Sequence, residues 1–357
     1  METLADIRLR IDALDEKFIA LLRERANLAK CAGAIKNKQK SNCYARLERE
    51  AEILRRLSSQ GGILPAEAVT AIYREIIAAC LACEKPQQIA YLGPPGTYTY
   101  DAARKHFGHT AQLQPAKNIY AAVREVEKKH CDYAVVPFEN STAGTVGTTM
   151  DVLLETPLVI CGETMLRIRH NLLAHTEDIK KIDTIYAHPQ SLDQCRRWLE
   201  DNMPGVAKVP CESNAAAAEK ATNHTNAAAI ASESAATIFN LSVVAADIED
   251  SAANTTRFLI LGHHQPGPSG QDKTTFVMTS HHEAGSMLRL LEPMAQRGVN
   301  MCKLESRPSS GNLWAYAFYV DVDGHVQENT ELQHCLEEIR ERATFLKMLG
   351  SYPKAVA

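Results

Sequence analysis

Apolar residues recur at helical spacing through the first third of the chain. Leu4, Ile7, Ile11, Leu14, Phe18, Leu21, Leu28, Ala32 and Ile35 form one stripe, which predicts a single helix over residues 3–38. A second helix is predicted from Ala45 to Leu57, with Leu47, Leu54 and Leu57 on its stripe, ended by Gly61-Gly62. Pro65 suits the first turn of a third helix that turns Val69, Tyr73, Ile76 and Cys80 inward and stops at Pro86. Residues 1–86 therefore read as an all-helical module too small for a large private core.

At Gln88 the period changes. Short apolar runs at Ile89–Leu92, Tyr133–Phe138, Thr184–Ala187 and Ala227–Ala231 end in polar clusters and alternate with helices. That alternation predicts βαβ units with mostly parallel sheets. Residues 87–263 suit a two-lobed α/β domain, the chain crossing near Glu155–Met165 and returning near Ala245–Thr256. His263–Gln271 reads as a linker rich in Pro and Gly. Residues 272–352 then read as a ferredoxin-like α+β module: strand Lys273–Ser280, helix Ala284–Arg297, strands Val299–Ser306 and Trp314–Asp321, helix Thr330–Arg342 and a short last strand. The chain is thus multidomain.

Charge breaks the helical pattern. Arg25 holds a place in the first stripe that ought to be apolar, Glu50 interrupts the second, and Glu84 lies on the apolar face of the third. A buried guanidinium is costly unless an anion meets it. An Arg25–Glu50 ion pair is one answer; a small anionic ligand is the other. Arg25 and Lys36 are 11 residues apart, so they share a helix face and lie about 16 Å apart. Arg8 lies about 25 Å from Arg25 along the axis, so it reaches the same small ligand only from a second copy of the chain.

Composition narrows the field. The 357 residues carry a net charge of −4, which argues against general nucleic-acid binding. Residues 1–56 hold 13 Lys/Arg and 9 Asp/Glu, a local excess of cations. No stretch reaches membrane-span length, and the charged start lacks an apolar h-region, so a cytoplasmic protein with reduced thiols is expected. Cys80-x-x-Cys83 has no second pair, and there is no phosphate or dinucleotide loop. No metal and no cofactor is expected.

The helical segments Ile7–Asp15, Leu21–Arg25, Lys36 and Arg46–Glu50 resemble the helical chorismate mutase family. The resemblance implies an intertwined dimer that rearranges chorismate to prephenate. It assigns the substrate carboxylates to Arg8 (from the partner), Arg25 and Arg49, the ether oxygen to Lys36, and the ring hydroxyl to Glu50. Arg46 and Cys80 stand where relatives have Asp and Ser. Glu84 would have to be protonated to donate to the ether oxygen; burial beside Cys80 and Leu81 is expected to favour that, with mutase activity falling above neutral pH.

Tyr91–Thr97, Val136-Pro-Phe-Glu-Asn-Ser-Thr142, His188-Pro-Gln190 with Gln194, and Thr255-Thr-Arg-Phe258 resemble prephenate dehydratase. That resemblance places catalysis at Thr256 and the prephenate cleft at Glu139, Asn140, Ser141, Thr142, Gln194, Arg257 and Phe258, with Arg257 binding a carboxylate or forming a structural ion pair. Ala284-Gly285-Ser286-Met287-Leu288 and Glu305-Ser306-Arg307-Pro308 resemble the effector motifs of an ACT domain, which implies L-phenylalanine as an inhibitor. The three segments together resemble the bifunctional chorismate mutase/prephenate dehydratase family, acting as a homodimer or tetramer. A two-lobed amino-acid sensor whose helices only dimerise is the competing reading; turnover of chorismate to phenylpyruvate separates the two.

Overall fold

The computed structural model describes residues 2–38, 45–281, 283–308 and 316–356. Three helices open the chain: α1 (Leu4–Lys38), α2 (Leu47–Ser58) and α3 (Ala66–Glu84). Within the chain, α1 uses a different stripe from the one its apolar residues mark. Leu22, Arg25, Ala26, Ala29, Ala32 and Lys36 are half-buried and Gly33 is buried. A Cβ on Gly33 would meet the Glu84 Cβ at 3.0 Å, so glycine lets α1 and α3 approach closely. Every residue from Glu2 to Leu21 is exposed. Leu4, Ile7, Ile11, Leu14, Phe18, Leu21, Leu28 and Ile35 all stand open to solvent, because the described chain supplies no helix to cover them.

The α/β region forms two lobes. The first contains β1 (Gln88–Leu92), α4 (Tyr98–Phe107), β2 (Gln112–Ala116), α5 (Ile119–Glu127), β3 (Tyr133–Asn140), β4 (Gly144–Thr145), α6 (Gly147–Glu155) and β5 (Val159–Arg167). The second contains β6 (Asn171–Ala174), β7 (Thr184–Ala187), α7 (Pro189–Gln194), α8 (Arg196–Asn202), β8 (Ala207–Pro210), α9 (Asn214–Thr222), β9 (Ala227–Ala231), α10 (Glu233–Phe239) and β10 (Ser242–Ala245). The chain then returns to the first lobe as β11 (Thr255–Gly262). The sheet orders are β2-β1-β3-β11-β5 and β10-β6-β9-β7-β8.

The outgoing crossing occupies residues 168–170, later than the pattern predicts, because β5 stays in the first sheet as an antiparallel partner of β11. The segment Thr255–Phe258 is the start of β11. Thr256 pairs with Asn140 and Arg257 with Glu139. Alternation along paired strands therefore sends Thr256 and Asn140 to one side and Arg257 and Glu139 to the other.

The last segment runs β12 (Asp272–Thr279), α11 (Ser286–Gln296), β13 (Met301–Pro308), β14 (Tyr316–Asp323), α12 (Thr330–Arg342) and β15 (Phe345–Pro353). Its sheet is antiparallel in the order β13-β14-β12-β15, the split-βαβ arrangement. Trp314, expected to begin the third strand, lies outside the described residues. One face of the sheet packs on α11 and α12 through Phe276, Met278, Leu290 and Leu336. The other joins the first lobe's core: Val277, Tyr319 and Tyr352 share a cluster with Phe138, Met150, Ile160 and Leu259. A Cβ on Gly350 would meet the Ile160 carbonyl oxygen at 2.4 Å, so only glycine lets β15 lie this close to β5. The linker is pinned: Arg55 donates to the Ser269, Gln271 and Lys354 carbonyls.

Candidate active sites

The polar residues that break the helix stripes gather at one end of the three-helix module. Lys36 Nζ donates to Glu84 Oε2 at 2.8 Å, with the Glu84 side chain 5% exposed. Glu84 is thus held by Lys36, and Cys80, one turn before it on α3, is buried. Arg25 Nη1 lies 3.4 Å from the Ile76 carbonyl, and no Arg25–Glu50 ion pair forms among the described residues. The acid that burial perturbs is Glu50. Desolvation pushes it up to about 7, against the pull of Arg74, Lys36 and Arg25. Its Oε1 is buried without a hydrogen-bond partner among the described residues.

Glu50 also borders a small cavity of about 30 Å³ shared with Arg74, His106, Gly162 and Thr164. Sequence reading missed Arg74, which donates to the Lys105 carbonyl and is the strongest cation acting on Glu50. Arg46 and Arg49 are exposed in the single chain, and Arg8 is exposed far along α1.

The second cluster lies where the lobes meet. Asn140 Nδ2 donates to Thr256 Oγ1 and to Asn254 Oδ1, both at 2.8 Å. Asn140 Oδ1 accepts from the Thr142 amide and hydroxyl, which fixes the amide's orientation. Gln194, from the second lobe, donates to Thr142 Oγ1 at 2.7 Å and accepts from Asn254 Nδ2 at 3.1 Å. Ser141 Oγ accepts from the Thr255 amide. Asn140, Ser141, Thr142, Gln194 and Thr256 thus surround one interlobe site.

Three further residues belong to it. Asn254 is 1% exposed and His170 1% exposed. His170 Nε2 contacts Gln194 Oε1 at 2.8 Å, and Nδ1 contacts the Tyr98 hydroxyl at 2.8 Å. Burial holds the His170 pKa below its ordinary value and the Tyr98 pKa well above its own, so this side of the site is neutral near pH 7. Asn254 was legible as the residue preceding the Thr-Thr-Arg-Phe segment; nothing in the local pattern points to His170 or Tyr98.

Three expected cleft residues stand elsewhere. Arg257 lies on the opposite side of the sheet, 5% exposed, bonded to Glu163 and Asp321 at 2.7 and 2.6 Å. Of the two readings of Arg257, the structural ion pair is the one observed. Glu139 shares that side and pairs with Lys303 at 2.7 Å. Phe258 is buried against Ile89, Tyr91 and Ala103 after a register shift at Arg257/Phe258.

No hydrogen bond or ion pair joins the two C-terminal motifs among the described residues. Gly285 has φ +75° before α11, Ser286 and Met287 are half-buried, and Leu288 is exposed. Glu305 accepts from Thr145 at 2.9 Å, and Arg307 forms a two-pronged pair with Asp151. Both side chains therefore grip the first lobe. Ser306 faces solvent.

Fold and geometry together define a class: an all-helical acid–base cluster followed by a two-lobed α/β domain with a Thr–Asn–Gln site between its lobes. Residues 7–85 match the type II chorismate mutase family and residues 89–266 the prephenate dehydratase family. A bifunctional chorismate mutase/prephenate dehydratase of Neisseria gonorrhoeae is 44% identical over 99% of this chain and 98% of its own. Among solved structures, a prephenate dehydratase from Arthrobacter aurescens in complex with L-Phe is 31% identical, covering 75% of this chain and 90% of its own, with a TM-score of 0.70. A protein described as a quorum-quenching acylase, GqqA, is 30% identical over 75% of this chain and 98% of its own, with a TM-score of 0.69. The chain belongs to the bifunctional chorismate mutase/prephenate dehydratase family.

Proposed function

We propose a division of labour in which the helical module performs the first of two consecutive reactions and the interlobe cleft the second. Chorismate rearranges to prephenate; prephenate then loses water and CO2 to give phenylpyruvate, the ring skeleton of phenylalanine. The first product is the second substrate.

The rearrangement is unimolecular, so the site has to select a folded conformer and meet charge developing on the ether oxygen. Lys36 takes the ether oxygen, leaving Glu84 as its counter-ion. Arg25 and Arg49 take carboxylates and Glu50 the ring hydroxyl. The exposed stripe on α1 supports a homodimer in which the partner's α1 covers that stripe and brings in its copy of Arg8.

In the cleft, a threonine hydroxyl has one proton and two lone pairs. Asn140 donates to one lone pair of Thr256, so the Thr256 proton is left to donate toward the departing ring hydroxyl. Ser141, Thr142 and Gln194 hold the substrate, and Gln194 ties lobe closure to assembly of the site. Aromatisation drives the loss of CO2. The Asn140–Thr256 contact carries this reading. Incubation with chorismate followed by assay of phenylpyruvate tests it: full conversion by the parent and arrest at prephenate by Thr256→Ala are expected, whereas phenylpyruvate from that variant at the parent's rate contradicts it.

The split-βαβ segment is proposed to be an ACT module that binds L-phenylalanine near Gly285–Leu288 and Glu305–Arg307 and lowers dehydratase turnover. The topology and the two motifs support it. Regulation requires that the effector bind two states of the protein differently.

A further inference from the structure

The two residues proposed to act in the cleft, Asn140 and Thr256, face each other across β3 and β11. Their immediate neighbours, Glu139 and Arg257, also face each other, on the opposite side of the same two strands. Both neighbours are held by the C-terminal sheet. Arg257 Nη1 bonds Asp321 Oδ2 on β14 at 2.6 Å and Nη2 bonds the Tyr352 hydroxyl on β15 at 2.8 Å. Its Nε bonds Glu163 on β5 at 2.7 Å, and Glu163 in turn accepts from Lys273 on β12 at 3.0 Å. Thr275 donates to Asp321 at 2.7 Å and contacts the Tyr352 hydroxyl at 2.7 Å. Glu139 is taken by Lys303 on β13 at 2.7 Å.

The buried part of this cluster is balanced, with Arg257 and Lys273 against Glu163 and Asp321, and none of the four side chains is more than 11% exposed. Breaking one partner of such a set leaves an uncompensated buried charge, so the set moves as a unit. The register irregularity between Arg257 and Phe258 lies next to Thr256, and such irregularities re-aim side chains. Strand β13, which supplies Lys303, also carries Glu305 and Arg307, bonded to Thr145 and Asp151 of the first lobe.

We propose that Arg257 and Glu139 are positioning residues through which the C-terminal sheet sets the Asn140–Thr256 geometry, Asp321 and Tyr352 holding one side of this clamp and Lys303 the other. Dehydratase turnover then depends on the placement of the C-terminal sheet. Where the feedback reading above holds, this clamp is the route from effector to cleft. The proposal deepens that reading but its first consequence, on basal turnover, does not require an effector.

The test uses full-length Asp321→Asn and Tyr352→Phe. For each, kcat and KM on prephenate, mutase turnover on chorismate and thermal stability are measured, with and without L-phenylalanine. A displacement of reacting groups on the ångström scale costs orders of magnitude in rate, so a fall in dehydratase kcat on the order of tenfold is expected for Asp321→Asn. KM and mutase turnover stay near the parent values, and the response to L-phenylalanine weakens. Tyr352→Phe keeps its ring in the core and decides the matter alone where Asp321→Asn fails to fold; its kcat falls in the same direction by less. Unchanged kcat in a folded variant overturns the proposal, as does a loss shared equally by both activities, which marks a merely structural role. If the parent itself ignores L-phenylalanine, the feedback reading fails while basal kcat still decides the clamp.

Discussion

The two sites are built in opposite ways. The cleft is assembled inside one chain: strand register sets Thr256 against Asn140, and Gln194 closes over them from the second lobe. The helical site is left open: Arg8 stands exposed on α1, and the apolar stripe around it has no cover among the described residues. A sheet satisfies its own strands, so a site at strand ends is complete once the lobe folds. A long helix with one apolar stripe is satisfied only by another helix. The site shared between two chains proposed above would meet that shortage of partners, and on that proposal the two activities of this chain are expected to respond differently to dilution and to surface substitution.

The most severe way to separate the sites is Thr256→Ala. Loss of a positioned proton donor costs about 10²–10⁴-fold, so phenylpyruvate formation is expected to collapse while prephenate accumulates at the parent's rate. Steady-state assays on chorismate and on prephenate check it. Arg25→Ala acts in the mirror sense: mutase turnover falls by about 10²–10³-fold, as for loss of one charge-stabilising donor, and prephenate consumption is unchanged. Equal loss of both activities in either variant would remove the contrast.

Phe18→Asp attacks the uncovered stripe. A charge placed in a helix–helix seam is costly to bury, so the association of two copies is expected to weaken, as read by sedimentation. Mutase activity falls with it, and dehydratase activity survives. A smaller effect concerns Glu50. Its folded pKa, about 7, lies above the ordinary 4.5. The stability contributed by neutral Glu50 is therefore complete below about pH 4.5 and is lost as pH rises through about 7. Melting of the helical module is expected to drop across that window by an amount on the order of a few kcal/mol at most, and Glu50→Gln is expected to flatten the drop. A pH profile that Glu50→Gln leaves unaltered would assign the titration to another group.

The helices were legible because a 3.6-residue period survives in Leu, Ile and Val spacing, and Pro65 and Pro86 mark their limits. What periodicity did not reveal is which stripe of α1 meets its own chain: that contact is made by Ala26, Ala29 and Gly33, small residues that carry little hydrophobic signal. The cleft was half legible. Asn140, Thr142, Gln194 and Thr256 stood in recognisable segments, but no strand is predicted over Thr255–Phe258, so the alternation that parts Thr256 from Arg257 stays hidden. His170 joins the site through Gln194, 24 residues on, and Tyr98 through His170, 72 residues on, tertiary contacts that no local pattern records. Sequence reasoning singles out Glu84 as the acid that burial perturbs; in the structure Lys36 reaches Glu84, and among the described residues no hydrogen-bond donor reaches Glu50 Oε1, the acid that desolvation raises.

The shared-site claim is tested most directly by mixing two inactive proteins. Arg8→Ala and Arg25→Ala are each expected to lack mutase activity. After co-refolding at equal amounts, random pairing gives one intact site in each mixed dimer, so about a quarter of the parent mutase activity should return while dehydratase activity never changes. Failure of the mixture to regain mutase turnover, with mixed dimers shown to be present, would contradict a site divided between two chains.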